Sequence, residues 1–173
     1  MKKTNFIFWI LLAAFCIALS SDIQAQKRRA KVRLGKICSN PQVECRTADF
    51  NFQAHEIPFE IPSNNAVIVQ SETFYMIILK SVKPASDADC ENIFSEDERL
   101  GIQELFPDHK VFALKCLSAG DLYYDGIAYD VNFIAIYAGK TLTEAKKFLE
   151  TVKATGKFKG ANIRRTQANV NGT

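Results

Sequence analysis

The segment from Val131 to Gln167 has very few ways to fold. Val131-Asn132-Phe133-Ile134-Ala135-Ile136-Tyr137-Ala138 is rich in β-branched and aromatic residues, which suit a pleated surface and predict a strand. Gly139 interrupts the run. Thr141-Leu142-Thr143-Glu144 then has the form of a capping box: the Thr141 hydroxyl accepts from a free backbone N–H while the Glu144 carboxylate reaches back. Ala145, Phe148, Leu149 and Val152 follow at i, i+3, i+4 and i+7, one apolar stripe on a helix, with Lys146, Lys147, Glu150 and Lys153 on the other face. Gly156 is placed to end that helix in the left-handed conformation, and Ala161 to Gln167 returns as a strand.

The same grammar occurs earlier in the chain. Phe74-Tyr75-Met76-Ile77-Ile78-Leu79, within an apolar run from Thr73 to Val82, has no polar alternation and predicts a central strand covered on both faces. Residues 83–92 are loop. Ser95-Glu96-Asp97-Glu98 is a second capping box with acids where the helix dipole favours them; Ile102, Leu105 and Phe106 supply the apolar face, and Pro107 stops the helix. Lys110 to Cys116 is the next strand, and a long loop over residues 117–130 leads into Val131. From Phe74 onward the order is strand, helix, strand, strand, helix, strand. That is the ferredoxin-like βαββαβ order of an α+β domain: four antiparallel strands with two helices on one face. In such a sheet Cys90, just before the first helix, and Cys116, closing the second strand, lie at one end. The expected disulfides are therefore Cys90–Cys116 and Cys38–Cys45; the longer loop, of about 26 residues, contributes about 3 kcal/mol when closed.

The N-terminal part reads differently. Lys2 and Lys3 precede an apolar run from Phe6 to Leu19, too short for the roughly 20 residues of a bilayer span but suited to a signal peptide cleaved after Ala25; left uncleaved, it would be the chain's one membrane tether. Four of the five cysteines lie beyond that point, an even number that suits disulfides, and no pair has Cys-x-x-Cys spacing. The chain is expected to be exported, to a periplasm or the extracellular space. Residues 26–65 form a basic, irregular segment in which Lys27, Arg28, Arg29, Lys31, Arg33 and Lys36 outweigh the net charge of +3. Without those six the chain is mildly acidic, unlike the surface of a nucleic-acid binder. Ile57-Pro58-Phe59-Glu60-Ile61-Pro62 is at best an edge strand, because proline cannot donate to a ladder. The turn Ser63-Asn64-Asn65 and an apolar run from Ala66 to Gln70 complete the approach to the main domain, placed at residues 66–168 with a tail over 169–173.

The pseudo-repeated βαββαβ order in an exported chain resembles the SPOR (sporulation-related repeat) domain, over about Phe74 to Gln167. Phe133-Ile134-Ala135-Ile136-Tyr137-Ala138-Gly139 is similar to that family's strand ending in glycine, and Thr143-Glu144-Ala145-Lys146-Lys147-Phe148-Leu149 to its following helix. In the first half, where the family places glutamine and glycine near the strand end, this chain has Ile78 and Lys80. The resemblance implies a non-catalytic module that binds peptidoglycan glycan strands stripped of stem peptides. Peptidoglycan or another envelope polymer is then the expected partner. The alternative is a secreted ferredoxin-like protein-interaction or inhibitor module, indifferent to glycan.

Strand parity nominates a binding face. With Phe112, Leu114, Ile134, Ile136 and Ile163 turned to the helices, Lys115, Phe133, Tyr137 and Arg164 would share the other, open face. Aromatic rings stack on pyranose faces, and cations bond to hydroxyls and carboxylates. Against this stands a plainer arrangement, in which the N-terminal segment with Ala66–Gln70 covers that face and makes the aromatics core. Asp121, Asp125 and Asp130 lack EF-hand spacing and suit turn caps, and Tyr123 and Tyr124 beside them are either a ligand lip or loop packing. His55 and His109 have no metal-ligand spacing around them, and no serine sits in a nucleophile-elbow motif. Neither an enzyme, a metal nor a cofactor is expected.

Overall fold

The structure, a computed structural model, describes residues 33–41, 45, 58–60, 68–85, 93–114 and 122–171. Among these residues ten elements follow one another: β1 (Arg33–Gly35), β2 (Ile68–Ser71), β3 (Phe74–Val82), α1 (Glu96–Leu105), β4 (Val111–Leu114), β5 (Leu122–Tyr124), β6 (Asn132–Gly139), α2 (Leu142–Ala154), β7 (Asn162–Thr166) and β8 (Ala168–Asn171). The described residues are α+β, with two helices and two four-stranded, mostly antiparallel sheets. The first sheet has the order β4-β6-β3-β7 with every neighbour antiparallel; the second has the order β1-β2-β8-β5, in which only β1 and β2 run parallel.

Local chemistry accounts for the helices. Thr141 Oγ1 accepts from Glu144 N at 3.2 Å, and Glu144 Oε2 accepts from Thr141 N at 2.9 Å, so the capping box is closed in both directions. Gly156, at φ +68°, takes the left-handed conformation just past the end of α2. At α1 only half of the expected box forms. Ser95 Oγ accepts from Glu98 N at 3.1 Å, but the Glu98 carboxylate pairs with Lys80 on β3. Ile102 and Phe106 are buried, whereas Leu105, expected on the apolar face, is 40% exposed.

Strand β3 is central, as its unbroken apolar run requires, and each of its faces meets a separate core. On one side Ile77, Leu79, Val111, Ala113, Ile134 and Ile136 pack against Ile102, Phe106, Ala145, Phe148 and Val152 of the helices. On the other, Phe74, Met76, Ile78, Phe112, Leu114, Phe133 and Ala135 pack against Val69, Leu122, Tyr124, Ala168 and Val170 of the second sheet, with Phe59. Of the two arrangements expected for that face, the open one is corrected and the covered one is found: β2, which overlaps the Ala66–Gln70 run, lies in the sheet that covers it, together with β1, β5 and β8. Burial of large apolar side chains, each stabilising by about 1.5–3 kcal/mol, is the driving force. The parity assumed for β4 is also reversed, since Phe112 and Leu114 face the second sheet while Val111 and Ala113 face the helices.

The covering sheet is assembled from short strands outside the repeat. β5 lies in what was expected to be loop, and β8 extends into the expected tail. β1 falls in the basic N-terminal segment, beside a single antiparallel bridge between Ile37 and Phe59. Cys38 and Cys45 form the expected disulfide, with their Cα atoms 5.7 Å apart. The Cys90–Cys116 pairing lies outside the described residues.

Candidate functional site

A concavity of about 610 Å³ opens where β6 hands over to α2. Its walls include His109, Tyr137, Gly139, Lys140, Glu144, Lys147, Phe148 and Thr151. Antiparallel pairing explains why residues so far apart in sequence meet. Val111 at the start of β4 stands opposite Ile136 near the end of β6, so the turn before β4 and the turn after β6 share one end of the sheet.

The His109 side of the cleft is held by α1. Gln103 Nε2 donates to the carbonyls of Phe106 and His109 at 2.9 and 2.8 Å, and its Oε1 accepts from Val111 N at 2.9 Å. Arg99, almost completely buried, donates through Nη1 to the Val111 carbonyl at 3.1 Å, and its Nε and Nη2 are bound to Glu96. These two side chains therefore satisfy the outward N–H and C=O of Val111, blunting that edge of the sheet. The His109 ring stacks on Phe148, with centroids 3.6 Å apart and planes 9° from parallel. Its Nδ1 lies 3.1 Å from the Tyr137 carbonyl oxygen. A carbonyl only accepts, so Nδ1 carries the proton and Nε2 is the acceptor when the ring is neutral.

The opposite wall is the β6–α2 corner. Gly139 has φ +113°, a conformation that L side chains rarely adopt, and a Cβ there would meet Glu144 Oε2 at 2.6 Å. The corner needs that closeness, because Glu144 Oε2 accepts from the backbone N–H groups of both Lys140 and Thr141 at 2.9 Å. The Thr141 backbone N–H, followed by its hydroxyl, holds the Glu144 carboxyl below the ordinary 4.5. Lys140 Nζ reaches Glu72 Oε2 at 2.5 Å, and this bond raises its pKa. Both carboxylates beside the cleft are thus already engaged. Tyr137 is half-buried, with burial raising its hydroxyl pKa, and its ring lies 6.0 Å from that of Phe74. Lys147 and Thr151 are exposed on the helix. The cleft offers an aromatic face, cations and hydroxyls, a set suited to holding a polar ligand.

The residues nominated from the sequence are distributed over different environments. Phe133 is 0% exposed between the two sheets, where it meets Phe112 and Tyr124 edge-on and presents nothing to solvent. Tyr137 stands at the rim of the cleft. Arg164 is exposed on the edge strand β7, and Met76 of β3 is the register partner of both Tyr137 and Arg164, so these two share a cross-strand row. Lys115 lies outside the described residues. Of the loop residues, Tyr124 is buried, Tyr123 is exposed, and Asp125 accepts from Asn169 Nδ2 at 2.9 Å. His109, Lys140, Lys147 and Thr151 were not nominated. The signal for them was topological: the βαββαβ order itself brings the turns flanking the second and third strands of the repeat to one end.

Comparison with protein-family models, with curated proteins and with solved structures finds no match for this chain. Among the described residues, no helix is long and apolar enough to cross a membrane, and no three His, Cys, Asp or Glu side chains gather as a metal site requires.

Proposed function

We propose that this chain is an exported, non-catalytic module built on a ferredoxin-like sheet. In this proposal it binds peptidoglycan glycan strands in the cleft between β6 and α2 rather than on a sheet face. The observation that carries the reading is the cleft's composition: half-buried Tyr137 beside His109, Lys140, Lys147 and Thr151 in about 610 Å³. A pyranose ring has an apolar face for the tyrosine and a rim of hydroxyls for lysine, histidine and threonine. Removing the stem peptide from a glycan strand uncovers the lactyl carboxylate to which it was joined, and an exposed ammonium complements that charge. The strand order β7-β3-β6-β4, with a helix after β3 and another after β6, supports the ferredoxin-like assignment. The Cys38–Cys45 disulfide is compatible with export.

Pelleting with isolated sacculi, before and after amidase treatment, tests the proposal. The protein is expected to pellet, more strongly after amidase. Lys147→Ala should reduce retention several-fold while leaving the thermal midpoint unchanged, since Lys147 is exposed. A protein that stays in the supernatant with both preparations overturns glycan binding.

One observation favours a second reading, a protein-interaction module. Arg99 and Gln103 blunt one edge of the first sheet at Val111, while the other edge is β7, with Arg164 and Arg165 exposed. An extended partner strand could pair there. Crosslinking at β7 to one defined protein, without sacculus retention, would support this reading over the first.

A further inference from the structure

The start of β4 holds chemistry that does not depend on the glycan reading. Lys110 is only 5% exposed, and its Nζ lies 3.1 Å from Cys45 Sγ and 3.5 Å from Cys38 Sγ. Disulfide sulfur is a weak acceptor, so an ammonium gains little from the intact S–S bond. A thiolate in the same place is a full negative charge, and a neighbouring lysine stabilises the thiolate form of cysteine. The lysine therefore favours the reduced pair over the oxidised one. The two cysteines also differ in access: Cys45 is 3% exposed, whereas Cys38 is half-buried.

We propose that Cys38–Cys45 is a thiol–disulfide exchange site, in which Cys38 is the sulfur attacked and Lys110 stabilises the departing Cys45 thiolate. The partner is a thiol or dithiol reductant. Its thiolate attacks Cys38 Sγ, forming a mixed disulfide as the Cys38–Cys45 bond breaks, and the electron pair leaves on Cys45 Sγ beside the Lys110 ammonium. With a dithiol, the second thiolate attacks the reductant's own sulfur in the mixed disulfide. It closes the cyclic disulfide and releases Cys38. The reductant loses two electrons and two protons; the cysteine pair gains them.

Two measurements on the full chain test this. After alkylation of free thiols, brief exposure of the oxidised protein to glutathione, an acid quench and labelling of new thiols, peptide mapping should find glutathione on Cys38 and the label on Cys45. Reduction by dithiothreitol should be slower in Lys110→Met by about tenfold, the size expected for a less stabilised leaving thiolate. Lys110→Arg, which keeps the charge, should reduce at close to the wild-type rate. Glutathione found mainly on Cys45, or shared equally, overturns the proposal, as does a Lys110→Met variant reduced as fast as wild type. If Lys110→Met does not fold, the wild-type mapping alone decides.

Discussion

Replacing Phe133 by alanine distinguishes a sealed sheet face from an open one. The ring is 0% exposed and contacts Phe112 and Tyr124 edge-on, with centroids 6.2 and 5.3 Å away. Truncating a buried phenylalanine costs about 3–5 kcal/mol, because the transfer free energy is lost and a cavity remains. Each aromatic pair accounts for about 0.5–1.5 kcal/mol of that, and of the two only the Tyr124 contact reaches the covering sheet. Single domains are stable by only about 5–15 kcal/mol, so Phe133→Ala should move the urea midpoint far towards zero or leave the protein partly unfolded in water. Phe133→Leu keeps most of the volume and should lose about 1.5 kcal/mol or less. Arg164→Ala, on the exposed edge strand, should stay within about 0.5 kcal/mol of wild type. Urea titration followed by far-ultraviolet circular dichroism reads all three. A Phe133→Ala variant that loses under about 1 kcal/mol with an unchanged denaturant slope would refute burial by the second sheet and return Phe133 to the list of ligand contacts.

Two further variants address the β6–α2 corner. Gly139→Ala combines a forbidden backbone region with a Cβ placed 2.6 Å from Glu144 Oε2, and should destabilise by about 1–3 kcal/mol in the same urea titration; a midpoint equal to wild type would show that the corner relaxes freely. Glu144→Gln should make stability less dependent on acid. The folded pKa of Glu144 is lowered below the ordinary 4.5, so its contribution is complete above about pH 4.5 and is lost as pH falls through the folded value. The gap between the wild-type and Glu144→Gln midpoints at pH 7 should therefore narrow below that pH; a gap that is constant from pH 7 to pH 3 contradicts the assignment.

The parts of the fold that were legible in the sequence are those whose causes are local. Thr141 and Glu144 specify a helix start by themselves, Gly156 specifies its end, and Phe74–Leu79 is too apolar to sit anywhere but in the middle of a sheet. The second sheet had a weaker signal, the apolar run from Ala66 to Gln70 that β2 overlaps. Its strands are three or four residues long, too short to show alternation, and come from four separated parts of the chain. Leu122-Tyr123-Tyr124 reads as loop until β8 is placed beside it, where Leu122 meets Val170 and Tyr124 meets Ala168 across the ladder. Such pairings are stabilised by burial between sheets, which no short window of sequence contains.

Strand parity failed at β4 for a related physical reason; at β6 it held, and the first choice of site was lost because the second sheet covers that face. In a strand with one wet face, polar residues mark the solvent side, and a one-residue slip exchanges the two faces. Val111-Phe112-Ala113-Leu114 has no polar residue, because both of its faces are dry. Either assignment satisfied the sequence. The structure puts the larger pair, Phe112 and Leu114, against the second sheet and the smaller pair, Val111 and Ala113, under the helices. A doubly covered sheet has no face left for a ligand, so a polar ligand must be met where the sheet ends and backbone turns come to the surface. That is where His109, Tyr137 and Lys140 lie. The same end explains why Lys110 could be recruited to the disulfide: it follows His109 directly, its carbonyl accepts from Tyr137 N at 2.9 Å, and its side chain runs to the sulfurs of Cys38 and Cys45. The cleft and the exchange site are therefore joined through the backbone of one residue, although the chemistry proposed for each is independent of the other.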